Sequence, residues 1–495
     1  MTPPGGGAVR AGVIDIGSNS VRLVVYDVSG AGALAHFNEK VMAGLGRGVR
    51  ETGRLSTDGV EMAMGALIRF RAVLDGLGVS QAAGVATAAV RDADDGADFA
   101  ARAAETLGVP VRVLSGDDEA RLSALGVLTG SATATGIAGD LGGSSLEVSE
   151  IGDGRIGRTE THLLGPLIMT PDVRFDEKSI RREVRKALKG SSVVRGQGGS
   201  FHLVGGAWRS LAKLHMELTE YPLRLLHGYR MSPKAVRSAA KAALATDTVS
   251  RARRDSVAGR RSATLPYAAV LLEEMCEAGR FSEAILSAHG LREGVLFDLV
   301  GRSRDDPLLA GIALSARLGP GQRRFGDALY SFVSPAIEPE PNLFGLGTER
   351  ARIDQAACLL ADSGARLHPD HRAQLAYQLA LRGAYAGADH AERAFIALAV
   401  AARYSRRFRA PSDMTPLLSP ESELAARQLG ACMRLGAVLS GRSADVLASS
   451  SLQTADGALT LVVSKSREGM ISEAVSRRLN QAADILGLKP ELQLV

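Results

Sequence analysis

Two short stretches carry the residue types from which phosphate chemistry is built. Asp15-Ile-Gly-Ser-Asn-Ser20 and Asp140-Leu-Gly-Gly-Ser-Ser145 each place one aspartate two residues before a glycine turn. Glycine lets backbone N–H groups converge on an anion, and serine hydroxyls add donors. An aspartate repels phosphate, so Asp15 and Asp140 suit a magnesium ion, or its water, that in turn touches phosphate oxygens. Glu147 follows Ser145 by two residues, on the same strand face, and is placed to share that metal. The two stretches align without gaps at an offset of 125 residues: Asp140 on Asp15, Gly142 on Gly17, Ser145 on Ser20 and Val148 on Leu23. Apolar, acidic and glycine positions all agree, which marks a repeated strand–turn–strand unit and a cleft between two related lobes. The plainer alternative is two unrelated hairpins whose aspartates cap turns.

The elements that must hold these residues follow from periodicity. Residues 12–27 predict two strands about a tight turn, with Val21, Leu23 and Val25 on one side, Arg22 on the other, and half-burial of the sheet. Apolar residues at helical spacing predict a helix over 58–77. Further strands are expected at 84–87 and 111–114. A helix over 118–128 has its N-terminus near Ser115 or Asp117 and carries Asp117, Asp118 and Glu119 in its first turn. Acidic residues favour a helix N-terminus for electrostatic reasons alone. Like-charge neighbours would also raise the pKa of Glu119. Two more strand–glycine–helix patterns, 202–213 with Gly205-Gly206 and 284–297 with Gly290, are individually weak signals. Beyond about residue 305 the pattern is alanine-, leucine- and arginine-rich. Helices are expected at 353–367, 371–383, 391–403, 420–440 and 468–486, after a proline-bearing loop at 333–342.

Composition bounds the rest. The 495 residues are 45% apolar and 23% charged, and suggest about three domains. Aromatics are 4%, with one tryptophan, which argues against stacking of single-stranded nucleic acid. Cys276, Cys358 and Cys432 are far apart and form neither a disulfide scaffold nor a cysteine zinc site. No apolar run is long enough for a membrane helix, and Met1–Ala8 lacks the apolar core of a signal peptide. A cytoplasmic protein without membrane or nucleic-acid partners is expected. The net charge of +5 hides an uneven distribution: residues 174–261 hold 20 Lys/Arg against 7 Asp/Glu. Arg181, Arg182, Arg185, Lys186, Lys189, Arg251, Arg253, Arg254, Arg260 and Arg261 all fall there. A solvated helical face is the ordinary reading. A one-signed excess of this size also fits a long polyanion, bound less tightly as salt rises.

The two turns resemble the paired phosphate motifs of the actin, hexokinase and heat-shock-chaperone ATPase superfamily. More closely, the chain resembles the exopolyphosphatase/guanosine pentaphosphate phosphatase family. Asp15–Ser20 is similar to that family's first phosphate loop and Asp140–Glu147 to its second. Gly116-Asp-Asp-Glu-Ala-Arg-Leu122 resembles its catalytic segment, Ala86-Thr-Ala-Ala-Val-Arg-Asp92 its substrate-arginine segment, and Gly290-Leu-Arg-Glu-Gly294 its closing helix. The likeness runs from about residue 11 to 300. It implies an α/β fold of two actin-like (ribonuclease H-like) lobes around a cleft, at 1–132 and 133–305, and an all-α HD-like C-terminal domain at 306–495.

The resemblance also implies a reaction: water attacks the terminal phosphorus of inorganic polyphosphate and releases orthophosphate, processively. Glu119 is then the general base. Arg91 clamps the terminal phosphate, while Asp15, Gly17, Ser18, Asn19, Ser20, Gly142, Gly143, Ser144 and Ser145 line the site. Asp140 and Glu147 hold Mg2+, with a monovalent cation such as K+ as a further candidate, and Arg261 guides the polymer. Such chemistry needs an in-line nucleophile, a base, and cations or N–H groups about the equatorial oxygens. Two departures are visible: Ser144 replaces a third glycine, and Asp118 replaces a glutamate. No His-Asp dipeptide marks the C-terminal domain. His368, Asp370 and His371 lie close together and Asp389-His390 runs in reverse order, so no catalytic metal is expected there. A role in holding long polymer or in homodimerisation is expected instead. Guanosine pentaphosphate is the alternative substrate, with guanosine tetraphosphate as a further ligand. More remote readings are an ATP-dependent kinase, for which Val204-Gly-Gly206 resembles an adenosine motif, and a non-catalytic sensor.

Overall fold

The first glycine–serine stretch connects β1 (Val9–Ile16) to β2 (Val21–Ser29), and the second connects β6 (Gly136–Leu141) to β7 (Leu146–Gly152). Both pairs are antiparallel and share one register. Asp15 stands opposite Arg22, and Asp140 opposite Glu147, preserving the offset of 125. This computed structural model describes residues 8–169, 175–303, 305–337 and 350–495, with Arg260 described in its backbone alone. Among them, β3 (Gly32–Val41), β4 (Gln81–Ala86) and β5 (Val111–Val113) complete a sheet ordered β3-β2-β1-β4-β5. A second sheet adds β8 (Arg155–His162), β9 (Ser200–Val204), β10 (Arg230–Met231) and β11 (Glu283–Leu286), ordered β10-β11-β9-β6-β7-β8. Taken from β8 inward, the second order repeats the first, with two-residue β10 added at its edge. The repeat is therefore a whole lobe.

Alternation fixes the two faces of each sheet. On β2, Val21, Leu23 and Val25 join a cluster with Ile14 and Ile16, while Val24, Tyr26 and Val28 join another with Val13. The expected half-burial is corrected to burial on both faces. The helix Thr57–Gly76, capped by Ser56, covers the first face with Ala63, Leu67 and Phe70. The helix Leu291–Val300 covers the second with Leu291, Val295 and Leu296.

Two helices cross between the sheets. Gly116–Gly130 follows β5 yet packs on β6, β7 and β8; Leu291–Val300 follows β11 yet packs on β1 and β4. Each lobe's sheet is thus covered by a helix from the other segment, and the chain segments 1–132 and 133–305 interlock. Glycine permits the crossing. A Cβ on Gly126 would lie 2.0 Å from the Gly290 carbonyl oxygen, and one on Gly294 would lie 1.8 Å from that of Leu122.

Both lobes belong to one compact unit, Met1–Pro307; Leu308–Val495 forms a second. The second unit is helical, with Arg350–Leu359, Arg372–Arg382, His390–Tyr404, Pro420–Ser440 and Glu473–Leu486 near the expected places. The expected all-α character is corrected, because the unit also carries a small sheet of β12 (Ser450–Ala455), β13 (Ala458–Val463) and β14 (Lys489–Leu494), with β13 central and buried. His368 and Asp370 are exposed and 3.7 Å apart, and Asp389 caps the helix that begins at His390. The second half of the proline-bearing loop, from residue 338, and the N-terminal tail through residue 7 lie outside the described residues.

Candidate active site

The two turns close identically. Gly17 N–H donates to the Ser20 carbonyl and Gly142 N–H to the Ser145 carbonyl, each at 3.0 Å. A Cβ on either glycine would meet only ordinary contacts, at 3.5 Å and 3.4 Å, so packing does not demand glycine there; what glycine leaves is open space above the backbone. The first turn is braced from beneath, since Gly46 N–H donates to the Ser18 carbonyl and Gly44 N–H to that of Asn19. The second is braced by Gly165 N–H on the Ser144 carbonyl and Leu167 N–H on that of Gly143. Asn19 is exposed, Ser18, Ser20, Gly143 and Ser144 are half-buried, and Ser145 is buried.

Strand parity then sets what faces each crossing helix. Asp140 and its cross-strand partner Glu147 share the face that packs on Gly116–Gly130, where Ser123 donates to Asp140 at 2.7 Å. Ser115 caps that helix, accepting from Asp118 N–H, and this aims Glu119 inward at 8% exposure. Burial first, and then the negative charge of Asp140, push the Glu119 carboxyl up to about 7. Burial likewise raises Asp140, and burial with Glu119 raises Glu147 well above the usual carboxylate range. The expected role of Asp117 and Asp118 in this shift is corrected. Asp117 accepts from Thr159 at 3.0 Å and Asp118 from Ser115 at 2.8 Å, both away from Glu119. Arg91 stands 3.5 Å from Glu119 and is held by donating to the Leu114 carbonyl at 3.0 Å.

Glu119 Oε2 and Glu147 Oε1 are buried with no hydrogen-bond partner. Such orphaned carboxylate oxygens fit a hard divalent cation or its water. Among the described residues no three acidic, histidine or cysteine side chains gather as a complete cage. Asp140 and Glu147 thus offer the one or two carboxylates that magnesium ordinarily takes from a protein, with waters and phosphate oxygens completing its shell.

Opposite this acidic half lies a basic one. Arg292 donates to Asp15 at 2.9 Å, and although burial disfavours its charge, Asp15 and Glu293 hold it firmly protonated. Glu293 is fixed by Tyr26 O–H at 2.7 Å. Burial and then Arg292 lower the Arg22 pKa; burial, Arg261 and Arg22 lower that of Lys40. Arg261 is therefore in the cleft, its guanidinium packed where a Gly206 side chain would stand. Arg209 is half-buried, its Nε enclosed without a partner while its Nη2 donates to the Ala288 carbonyl at 3.4 Å, and Asp140 is among its charged neighbours.

All fourteen sequence-derived residues thus lie on the two turns or the elements packed against them. Arg22, Lys40, Ser123, Arg209 and Arg292 were missed. The repeat itself held the signal for Arg22, since the same offset pairs it with Glu147. The basic run at 174–261 is largely not part of the site. Arg181 and Arg185 are spent on Glu274, with Glu273 and Glu277 beside them. Those glutamates lie outside the counted window. Arg254 donates to the Ala243 carbonyl at 2.8 Å, while Arg251 and Arg253 are exposed.

Comparison with known proteins agrees with this geometry. The model of the Ppx/GppA phosphatase family matches residues 23–303, more than half of the chain. The chain belongs to the Ppx/GppA phosphatase family. A second model, that of the exopolyphosphatase C-terminal region, matches residues 343–493. Exopolyphosphatase 1 of Mycobacterium tuberculosis is 32% identical over 144 residues, a match spanning 28% of this chain and 42% of that relative. Exopolyphosphatase 2 of the same organism is 25% identical over 316 residues, covering 59% of this chain and 99% of the relative. The crystal structure of the Aquifex aeolicus Ppx/GppA family member aligns with a TM-score of 0.54 at 24% identity, over 59% of this chain and 97% of its own. An exopolyphosphatase structure from Cytophaga hutchinsonii gives 0.53 at 22% identity, over 59% and 99%. The last two establish the fold.

Proposed function

We propose that this chain is an exopolyphosphatase that hydrolyses the terminal phosphoanhydride bond of inorganic polyphosphate. One observation carries the reading: a buried carboxyl, Glu119, raised to about 7, has Asp140 and Asp15, the aspartates that open the two glycine–serine turns, among its charged neighbours and adjoins Arg91. A base with this pKa is matched to proton abstraction from water near pH 7. In the proposed step, the water oxygen attacks the terminal phosphorus and Glu119 takes the proton. The bridging P–O bond breaks, its electron pair leaving with the shortened chain. Turn N–H groups, Ser18, Ser20 and Ser144, and Arg91 neutralise the terminal phosphate oxygens. Asp140 and Glu147 would hold magnesium, which when bound supplies positive charge to the transferring group. Arg292, Arg22, Lys40 and Arg261 line up cations for the phosphates that follow the terminal one.

Guanosine pentaphosphate ends in the same anhydride, and the family's name covers both activities. Phosphate release from long polyphosphate, guanosine pentaphosphate and ATP, measured side by side, decides among them. The proposal expects polyphosphate to give the highest kcat/KM. Glu119→Gln should lower turnover by about 10²–10⁴, the usual worth of a general base, with polymer binding kept. Turnover by that variant at the wild-type rate removes Glu119 as the base.

A further inference from the structure

A second concentration of positive charge lies wholly within the C-terminal unit. Two cavities, of about 220 and 380 Å3, open among the helices His390–Tyr404, Pro420–Ser440 and Glu473–Leu486, and both are walled by Arg434 and Arg478. The larger alone falls in the range of about 300–1,000 Å3 usual for small-molecule sites. Arginines dominate the walls, and Asp484 is the one lining carboxylate.

The nearby carboxylates are already committed. Asp362 is shared by Arg403 at 2.6 Å and Arg442 at 3.7 Å, and Glu423 is taken by Arg427 at 2.8 Å. Asp484 is exposed and 3.9 Å from Arg406. Nothing comparable serves the two shared walls. Among the described residues, Arg434 has neither a hydrogen bond nor an ion pair, and Arg478 donates to the neutral Gln481 at 2.7 Å. The Nε atoms of Arg403 and Arg478 are buried without hydrogen-bond partners. Burial, with Arg478 and Arg403 as neighbours, lowers Arg434 to about 10. Half-buried cations that repel one another lower stability unless an anion joins them. Ala402, Ala431 and Ile485 supply dry walls beside the guanidiniums, which strengthens any ion pair formed there. A single phosphate is satisfied by one or two guanidinium forks; this many call for several linked phosphates.

We propose that the Arg434/Arg478 cavity pair is a binding site for an oligophosphate group, separate from the cleft of the N-terminal unit. The group could come from the end of an inorganic polymer or from a nucleotide, and the phosphates are what both present.

The test is calorimetry on the full chain in chelator-containing, metal-free buffer, with tripolyphosphate, ATP and GTP as probes. The wild type should show a site that Arg91→Gln in the cleft leaves unchanged. Arg434→Gln with Arg478→Gln should remove that site or weaken it at least tenfold. Because both side chains lack charged partners, the apo variant should melt no lower than wild type, and tripolyphosphate should raise the wild-type Tm more than the variant's. Should the double variant fail to fold, Arg434→Lys keeps the charge without the fork and should weaken binding several-fold. Equal affinity for the three probes assigns recognition to the phosphates alone; tenfold tighter nucleotide binding assigns it to a nucleotide. Unchanged stoichiometry and affinity in the arginine variants overturns the proposal. The cleft reading stands or falls separately, on phosphate release.

Discussion

Glu119 is the residue at which burial and charge meet. Its carboxyl is held up to about 7 against an ordinary 4.5 by desolvation and by Asp140. That shift has a consequence for stability whose sign follows from linkage. The folded chain prefers the protonated acid, so its contribution is fully favourable below about pH 4.5 and is lost as pH rises through about 7. The difference is of the order of 3 kcal/mol at 1.36 kcal/mol per unit. In metal-free buffer, Glu119→Gln should therefore melt higher than wild type at pH 8, and the gap should shrink towards pH 5. Added magnesium should raise the wild-type Tm more than the variant's at pH 8. A gap that is constant from pH 5 to 8 would show that Glu119 does not titrate in this window. Arg292 illustrates the opposite use of burial. It sits in the quoted Gly290–Gly294 segment, yet its role as partner of Asp15 depends on a crossing helix 277 residues away in the chain.

At the scale of elements, the site depends on two helices whose backbones touch. Gly294→Ala would drive a methyl to within 1.8 Å of the Leu122 carbonyl, three residues from Glu119. The helices must separate, so a loss of about 1–3 kcal/mol is expected, as for overpacked cores. Turnover should fall more than polymer binding, because Glu119 moves relative to the turns. Chemical denaturation and phosphate release together check this; wild-type stability would mean the crossing can relax. Much of this arrangement was legible in the sequence. The paired turns, the helix capped by Ser115 and the 125-residue repeat follow from local residue types. What was not legible has physical reasons. β3 and β14 are edge strands with mostly wet faces, so they carry no clean alternation. Val24 and Tyr26 pack against a helix from the far end of the unit, which no local period announces. The exchange of helices between sheets is likewise a long-range fact.

For the whole molecule, counting charge along the chain misleads where neighbours in space are distant in sequence. The excess over residues 174–261 reads as a polyanion track, but Glu273, Glu274 and Glu277 on the helix Leu265–Gly279 neutralise Arg181 and Arg185. Among the described residues of the run, Lys186, Lys189, Arg251 and Arg253 stay exposed without an ion pair, and Arg261 lies in the cleft. Two variants separate the readings. Arg253→Glu with Arg261→Glu should raise KM for long polyphosphate at least tenfold while changing tripolyphosphate less, and should flatten the dependence of KM on salt, because fewer counterions are displaced when polymer binds. Arg181→Glu with Arg185→Glu should instead lower Tm, since it leaves buried Glu274 facing like charge, while the ratio of long-chain to short-chain KM stays at the wild-type value. If the second pair shifts that ratio as strongly as the first, the track extends along the helix Glu177–Leu188, and its ion pairs open to admit polymer.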